Sequence, residues 1–148
     1  LQALEKARAI DPRILVEEGL EVREIECGII GNSNLLTSEI GEVKYESDWY
    51  DYDSKYNSNN KIIIPAEIDS KITEEIKEIA IKSCRALNIF GFARVDFFLE
   101  KSSNKILLNE INTIPGFTKN SMFPMLWKAS GLRIEQLVAK LVDISLDL

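Results

Sequence analysis

Four residues in the second half of the chain carry side chains suited to a charged ligand: Arg94, Asp96, Glu110 and Asn112. Asp96, Glu110 and Asn112 offer only oxygen donors, which suit magnesium or calcium rather than a soft metal. Magnesium uses one or two carboxylates and leaves its other positions to water and phosphate oxygens. A Glu110 shared between two such ions would form the clamp used in phosphoryl transfer. Facing carboxylates repel, so one is expected to hold a proton unless a cation lies between them. Arg94 alongside would offer positive charge to a phosphate or an oxyanion. The plain alternative is a surface ion-pair network on a half-exposed sheet, and spacing alone leaves both readings open.

Two strands must position these groups. By the two-residue period, Arg94, Asp96 and Phe98 share one face, while Ala93, Val95, Phe97 and Leu99 share the apolar one. The same rule places Ile106, Leu108, Glu110 and Asn112 together. Lys101-Ser102-Ser103-Asn104-Lys105 reads as a turn, so 92–100 and 106–113 are expected to pair as a hairpin. With Glu100 opposite Ile106, Asp96 falls opposite Glu110 and Arg94 opposite Asn112; a bulge would alter that register. Pro115-Gly116 then breaks the strand, and Gly116 lets a ligand approach the backbone closely. Ser121 stands at a helix N-cap position ahead of Met122-Phe123-Pro124, where backbone amides favour an anion such as a carboxylate. No base is present to activate Ser121 as a nucleophile.

The remaining elements read as follows. Residues 1–10 have helical composition, ended by Asp11-Pro12. Residues 13–17 read as a short strand with Ile14, Leu15 and Val16 buried. In the strand over 21–31, Val22, Glu24, Glu26 and Gly28 oppose Arg23, Ile25, Cys27 and Ile29, and Glu24 and Glu26 read as a solvated face. Gly31-Asn32-Ser33-Asn34 turns the chain into a return strand over 35–43. Residues 45–60 show neither helical nor strand periodicity, and 46–60 hold three tyrosines and a tryptophan, unlike an aromatic-poor spacer. A short strand from 61 stops at Pro65. Asp69 or Ser70 then caps an amphipathic helix with the stripe Ile72, Ile76, Ile79, Ala80, Cys84 and Leu87, about five turns. Residues 133–148 repeat the pattern with Ile134, Leu137, Val138, Leu141 and Val142.

The chain of 148 residues fits one domain, and 45% apolar content supplies a core. A net charge of -6 argues against a nucleic-acid surface. No apolar run approaches the roughly 20 residues a membrane helix needs. The start, Leu1-Gln2-Ala3-Leu4, has no initiator Met and no signal-peptide layout, and reads as a cut through a longer protein. There is no histidine, which removes His-based acid–base chemistry, Ser-His-Asp triads and His-ligated zinc. Cys27 and Cys84 lack metal or redox spacing and read as buried, reduced thiols.

Several motifs together resemble a known family. Gly91-Phe92-Ala93-Arg94-Val95-Asp96, Leu108-Asn109-Glu110-Ile111-Asn112-Thr113-Ile114-Pro115-Gly116-Phe117-Thr118 and Ser121-Met122-Phe123-Pro124 are similar to the C-terminal half of the D-alanine–D-alanine ligases of the ATP-grasp superfamily. Asp51-Tyr52-Asp53-Ser54-Lys55-Tyr56 resembles their omega loop, and Val16-Glu17-Glu18-Gly19-Leu20 with Arg23-Glu24-Ile25-Glu26 their adenine hinge and following strand. The resemblance implies an α+β ATP-grasp fold, a largely antiparallel sheet flanked by helices. Residues 1–31 would form the hinge and the end of the small lobe, 45–60 the omega loop, and 61–148 the large lobe with the metal site. The family's N-terminal domain is not in this chain.

Residue by residue, the resemblance assigns adenine to Glu17 and the Leu20 backbone, the ribose to Glu24, and the ATP phosphates to Lys55. Tyr56 would seal the site. Asp96, Glu110 and Asn112 would hold two Mg2+ ions, with Mn2+ as a substitute. Arg94 and the Gly116 amide would stabilise the oxyanion, and Ser121 with the Met122 amide would bind the second D-alanine. It also implies ATP as cosubstrate, D-alanine as substrate, peptidoglycan precursor synthesis in the cytoplasm, a homodimer when full-length, and neither nucleic acid nor membrane as partner. Glu18 and Met122 depart from common family choices. Lys55-Tyr56 favours D-alanine over D-lactate as second substrate. D-alanyl-D-serine synthesis, another carboxylate–amine ligation, and a non-catalytic Mg/nucleotide-binding module for the fragment alone are the alternatives.

Overall fold

The structure, a computed structural model, describes residues 2–44 and 61–147. Lys55 and Tyr56, with the rest of the expected omega loop, lie outside the described residues. Helix α1 (Gln2–Arg8) is followed by strands β1 (Val22–Gly31), β2 (Leu36–Lys44) and β3 (Lys61–Ile63), then by helix α2 (Ser70–Ala86). The hairpin β4 (Gly91–Glu100) and β5 (Ile106–Asn112) precedes two closing helices, α3 (Met122–Ala129) and α4 (Ile134–Leu146). The five strands form one antiparallel sheet in the order β3-β2-β1-β4-β5. Because β1 and β4 are central, every second residue of each is committed to one of two covered faces.

One face is apolar along its length. Ile25, Cys27 and Ile29 of β1, Ile40 of β2 and Ala93, Val95, Phe97 and Leu99 of β4 pack against Ile76, Ala80 and Cys84 of α2. Asp69 caps that helix by accepting the Lys71 amide at 2.8 Å. The stripe stops one residue short of expectation, since Leu87 is the C-cap and is exposed. Both thiols are buried here.

The other face is divided. At one end Ile30 and Phe92 meet Phe123 and Trp127 of α3 and Leu137, Leu141 and Ile144 of α4. Two glycines let α3 settle this closely. A Cβ on Gly41 would lie 2.7 Å from Leu126 Cδ2 and 3.0 Å from Met122 Sδ. A Cβ on Gly28 would lie 2.8 Å from Trp127 Nε1 and 3.0 Å from Ser38 Oγ, whose hydroxyl accepts the Gly28 amide at 2.8 Å. The indole ring is buried and meets Phe123 edge-on at 6.4 Å. Gly28→Ala is therefore expected to destabilise the protein by about 1–3 kcal/mol, measurable as a lowered urea midpoint with unchanged slope. At its other end this face carries charge instead of apolar side chains.

Three expectations need correction. Residues 13–17 are not a strand: they pair with no neighbour, and Leu15 and Val16 are exposed because no described element covers them. The β4–β5 register shifts by one between Asp96 and Phe97, so Leu99, not Glu100, faces Ile106. An extra residue on β5 reverses the parity of everything on one side of it. Ile106 and Leu108 consequently share the apolar face with Leu99 and Phe97, while Glu110 and Asn112 share the opposite face with Asp96 and Arg94. Finally, α4 buries Leu137 but leaves Ile134, Val138 and Val142 exposed, so only half of its stripe meets the core.

Candidate active site

The charged end of the divided face is built from three strands. Register sets Glu26 of β1 opposite Asp96 of β4, and Asp96 opposite Glu110 of β5. Gly41 of β2 lies opposite Glu26 on its other side. A single row across the sheet therefore reads Gly41, Glu26, Asp96, Glu110. The next row holds Gly28, Arg94 and Asn112, and Glu24 stands beside Glu26 on the same face. The bulge in β5 is what delivers Glu110 and Asn112 to this face from a strand whose other end packs into the core.

Arg94 is the cation of this cluster. Its Nε and Nη2 donate to Asp96 Oδ1 and Oδ2, each at 2.7 Å, a bidentate pair that occupies both carboxylate oxygens. Asn112 Nδ2 donates to Asp96 Oδ2 at 3.0 Å and to Glu110 Oε1 at 3.3 Å. Glu26 Oε2 lies 2.8 Å from Arg94 Nε, yet it is fully buried and accepts no hydrogen bond, because that N–H is directed at Asp96. Sequence reading placed Glu26 on a solvated face. Its side chain is only 12% exposed, enclosed by a strand pairing too distant in sequence to be inferred.

The electrostatics follow from crowding. Burial and the nearby Asp96 charge push the Glu26 carboxyl up to about 8, against the opposing pull of Arg94. Burial likewise raises Asp96, with the Arg94 hydrogen bonds opposing it. Arg94 loses hydration on burial, but its bond to Asp96 and the charges of Glu26, Asp96 and Glu110 more than hold its proton. A carboxyl raised from 4.5 to about 8 keeps its proton in the folded state where the unfolded chain has released it. Folded protein then binds more protons across that window, so stability falls as pH rises through it. We expect the cation-free protein to lose unfolding free energy steadily from about pH 5 to pH 8, at up to about 1.4 kcal/mol per pH unit. Glu26→Gln should flatten that slope in urea melts with chelator present.

The donor set fits a hard divalent cation. Asp96, Glu110 and the Asn112 amide oxygen are the candidate donors; with Glu24 and Glu26 on the same face and Arg94 as the neighbouring cation, they leave negative charge that a metal would offset. Among the described residues no three His, Cys, Asp or Glu side chains already converge as a ligand set. Asp96 is instead closed by Arg94, and Asn112 presents its nitrogen.

The segment after β5 adjoins this row. Pro115 is buried and Phe117 packs on Phe92 and Phe123, with ring centroids at 6.3 and 5.8 Å. Ser121 does occupy the N-cap position of α3, but its hydroxyl caps nothing. It accepts the Thr118 amide at 3.0 Å, lies 2.9 Å from Thr118 Oγ1, and sits 3.0 Å from where a Gly116 Cβ would be. Gly116, Thr118 and Ser121 thus form one tight corner, and the exposed Gly116 has room only for hydrogen on its inner side. Met122 stands over Gly41, the residue opposite Glu26, which brings the start of α3 beside the carboxylate row. Glu17 is exposed and Leu20 half-buried in the irregular segment leading into β1. Thr118 was not singled out from sequence; its hydroxyl partner Ser121 is three residues away, a spacing that signals nothing by itself.

The helix-flanked antiparallel sheet matches that of solved ligases, which defines the class: the C-terminal portion of an ATP-grasp fold. Residues 1–143 match the family model described as D-ala D-ala ligase C-terminus, and the chain belongs to the D-alanine–D-alanine ligase family. It is 93% identical over 148 residues to the D-alanine–D-alanine ligase of Prochlorococcus marinus strain MIT 9301, covering 100% of this chain and 42% of that protein. Identity is 51% over 146 residues to the ligase of strain NATL2A, again covering 42% of its length. Among solved structures, the VanG D-Ala:D-Ser ligase of Enterococcus faecalis matches with a TM-score of 0.81 at 35% identity, over 97% of this chain and 43% of that one. The D-alanine–D-alanine ligase of Coxiella burnetii matches with a TM-score of 0.78 at 36% identity, over 99% and 37%. The chain thus spans less than half the length of these relatives. Among the described residues, no helix is long and apolar enough to cross a membrane.

Proposed function

We propose that this chain supplies the metal-binding and second-substrate half of an ATP-dependent D-alanine–D-alanine ligase. The observation that carries the reading is the row Glu26, Asp96, Glu110, with Met122 at the start of α3 over Gly41 at the end of that row, in a chain of this family. Asp96 and Glu110 would hold one magnesium, Glu110 and Asn112 the second. Bound there, the ions would neutralise charge on the phosphates of ATP. Glu17 and the Leu20 backbone would take adenine, Glu24 the ribose, and Lys55 the phosphates, with Tyr56 closing over substrate.

The reaction runs in two steps. The carboxylate of the first D-alanine attacks the γ-phosphorus of ATP, and ADP leaves with the electrons of the broken P–O bond. The amine of the second D-alanine then attacks the acyl phosphate, losing a proton as inorganic phosphate departs. Arg94 and the Gly116 amide would stabilise the negative oxygen formed between these states. Ser121 and the Met122 amide would hold the carboxylate of the incoming amino acid, fixing its amine in line. The chemistry needs positioning and charge neutralisation and no covalent nucleophile, which agrees with a chain lacking histidine. We place the protein in the cytoplasm as a homodimer. The lobe division at residues 31, 45–60 and 61–148 belongs to the same reading.

Phosphate release by the full-length protein tests it, with ATP, Mg2+ and D-alanine alone or with D-serine or D-lactate added. D-alanine-dependent release with D-alanyl-D-alanine as product is expected. Preferential formation of D-alanyl-D-serine would move the assignment toward the VanG type, and no stimulation by D-alanine would overturn it.

A further inference from the structure

We propose that Glu26 is a positioning residue that receives Arg94 when a divalent cation takes Asp96. The inference rests on the cation-site reading above and adds a residue that the family resemblance did not assign. As it stands, Asp96 has little to offer a metal: Arg94 Nε and Nη2 hold both of its oxygens at 2.7 Å, and Asn112 adds a third donor at 3.0 Å. A carboxylate so engaged must release a donor before it can coordinate. The guanidinium, once displaced, cannot be left buried without an acceptor. Glu26 Oε2 waits 2.8 Å from the same Nε, wholly enclosed and accepting nothing. A small rotation of the guanidinium plane turns the N–H from Asp96 Oδ1 to Glu26 Oε2 and frees Oδ1 to accept a cation. The strand pairing fixes both alternatives, since Glu26 and Glu110 flank Asp96 in one row. Glu26 thereby acts on the metal through Arg94, without being a ligand.

The test is Mn2+ binding by the full-length protein, read by electron paramagnetic resonance or calorimetry without turnover. Asp96→Asn should abolish the site; Mn2+ binding unchanged by Asp96→Asn would sink the cation reading itself. Glu26→Gln, an isosteric change, should weaken Mn2+ about tenfold, the scale of losing a supporting partner. In an Arg94→Met background the same change should have no effect, because its target is gone. Equal weakening in both backgrounds would show Glu26 acting directly as charge or ligand and would overturn the transfer. So would no weakening in either. The wild-type protein gives a check independent of variant folding. Its Arg94 Nε–H resonance should shift saturably on Mg2+ titration, and an unmoved resonance at saturation contradicts the proposal.

Discussion

Asp96→Asn is expected to lower kcat/KM of the full-length protein by about a thousandfold or more. The change preserves volume and leaves β4 paired on both sides, but it removes the negative charge proposed to hold a metal at the centre of the carboxylate row. Lewis-acid stabilisation by a correctly held metal is worth several kcal/mol, and each 1.36 kcal/mol is a factor of ten in rate. The fold should tolerate the change better than the chemistry does. Asp96 sits between Glu26 and Glu110, so neutralising it relieves repulsion while it sacrifices the bidentate bond to Arg94. Steady-state kinetics run beside urea melts would separate the two. A collapse in rate with unfolding free energy largely retained is the expected pair of results. Loss of both would mean that Asp96 chiefly holds the sheet together.

The second large effect is on stability, at the opposite face. Glu42 is almost completely buried on β2, and Arg23 of β1 holds it with Nε and Nη2, each at 2.8 Å. Arg23 Nη2 also donates to the Glu67 carbonyl at 3.0 Å, tying β1 to the segment after β3. Lys44 stands 3.8 Å from Glu42 but is largely solvated and cannot replace a bidentate partner. Arg23→Met would strand the Glu42 carboxylate in the interior. Removing one partner of such a pair typically costs about 3–5 kcal/mol. Replacing both, as Arg23→Met with Glu42→Leu, should recover most of that loss, since the desolvated charge is then gone. Chemical denaturation of the two variants gives the comparison; equal stability of single and double variants would mean that Lys44 suffices for Glu42.

The sequence carried the site further than the fold around it. The polar turn made the hairpin legible. The pairing of Asp96 with Glu110 and of Arg94 with Asn112 agrees with expectation only because the extra β5 residue offsets a one-residue error at the turn, where Leu99 and not Glu100 faces Ile106. The bulge itself was not legible, since nothing in Leu107-Leu108-Asn109 marks which residue is extra. It moved Ile106 and Leu108 to the other face while leaving the functional end in register. Glu26 was misread for a different reason. Its burial depends on β1 pairing with β4 across some seventy intervening residues, a contact that strand periodicity cannot announce. The Arg23–Glu42 pair was hidden likewise: parity sets Arg23 on the face of Ile25 and Cys27 but names no partner for it. The strand expected over 13–17 failed because an apolar triplet predicts burial only where something covers it. Ser121 was located correctly, yet its hydroxyl serves the Gly116 corner and not the helix end.

The central proposal is that Asp96, Glu110 and Asn112 form a divalent-cation site. Anomalous scattering from crystals of the full-length protein grown with Mn2+ and a non-hydrolysable ATP analogue tests it most directly. The expected map shows Mn2+ within about 2.0–2.3 Å of oxygens from Asp96 and Glu110, with Asn112 turned to present its oxygen and Arg94 moved toward Glu26. Anomalous density elsewhere, with Arg94 still bridging both oxygens of Asp96, would contradict the account.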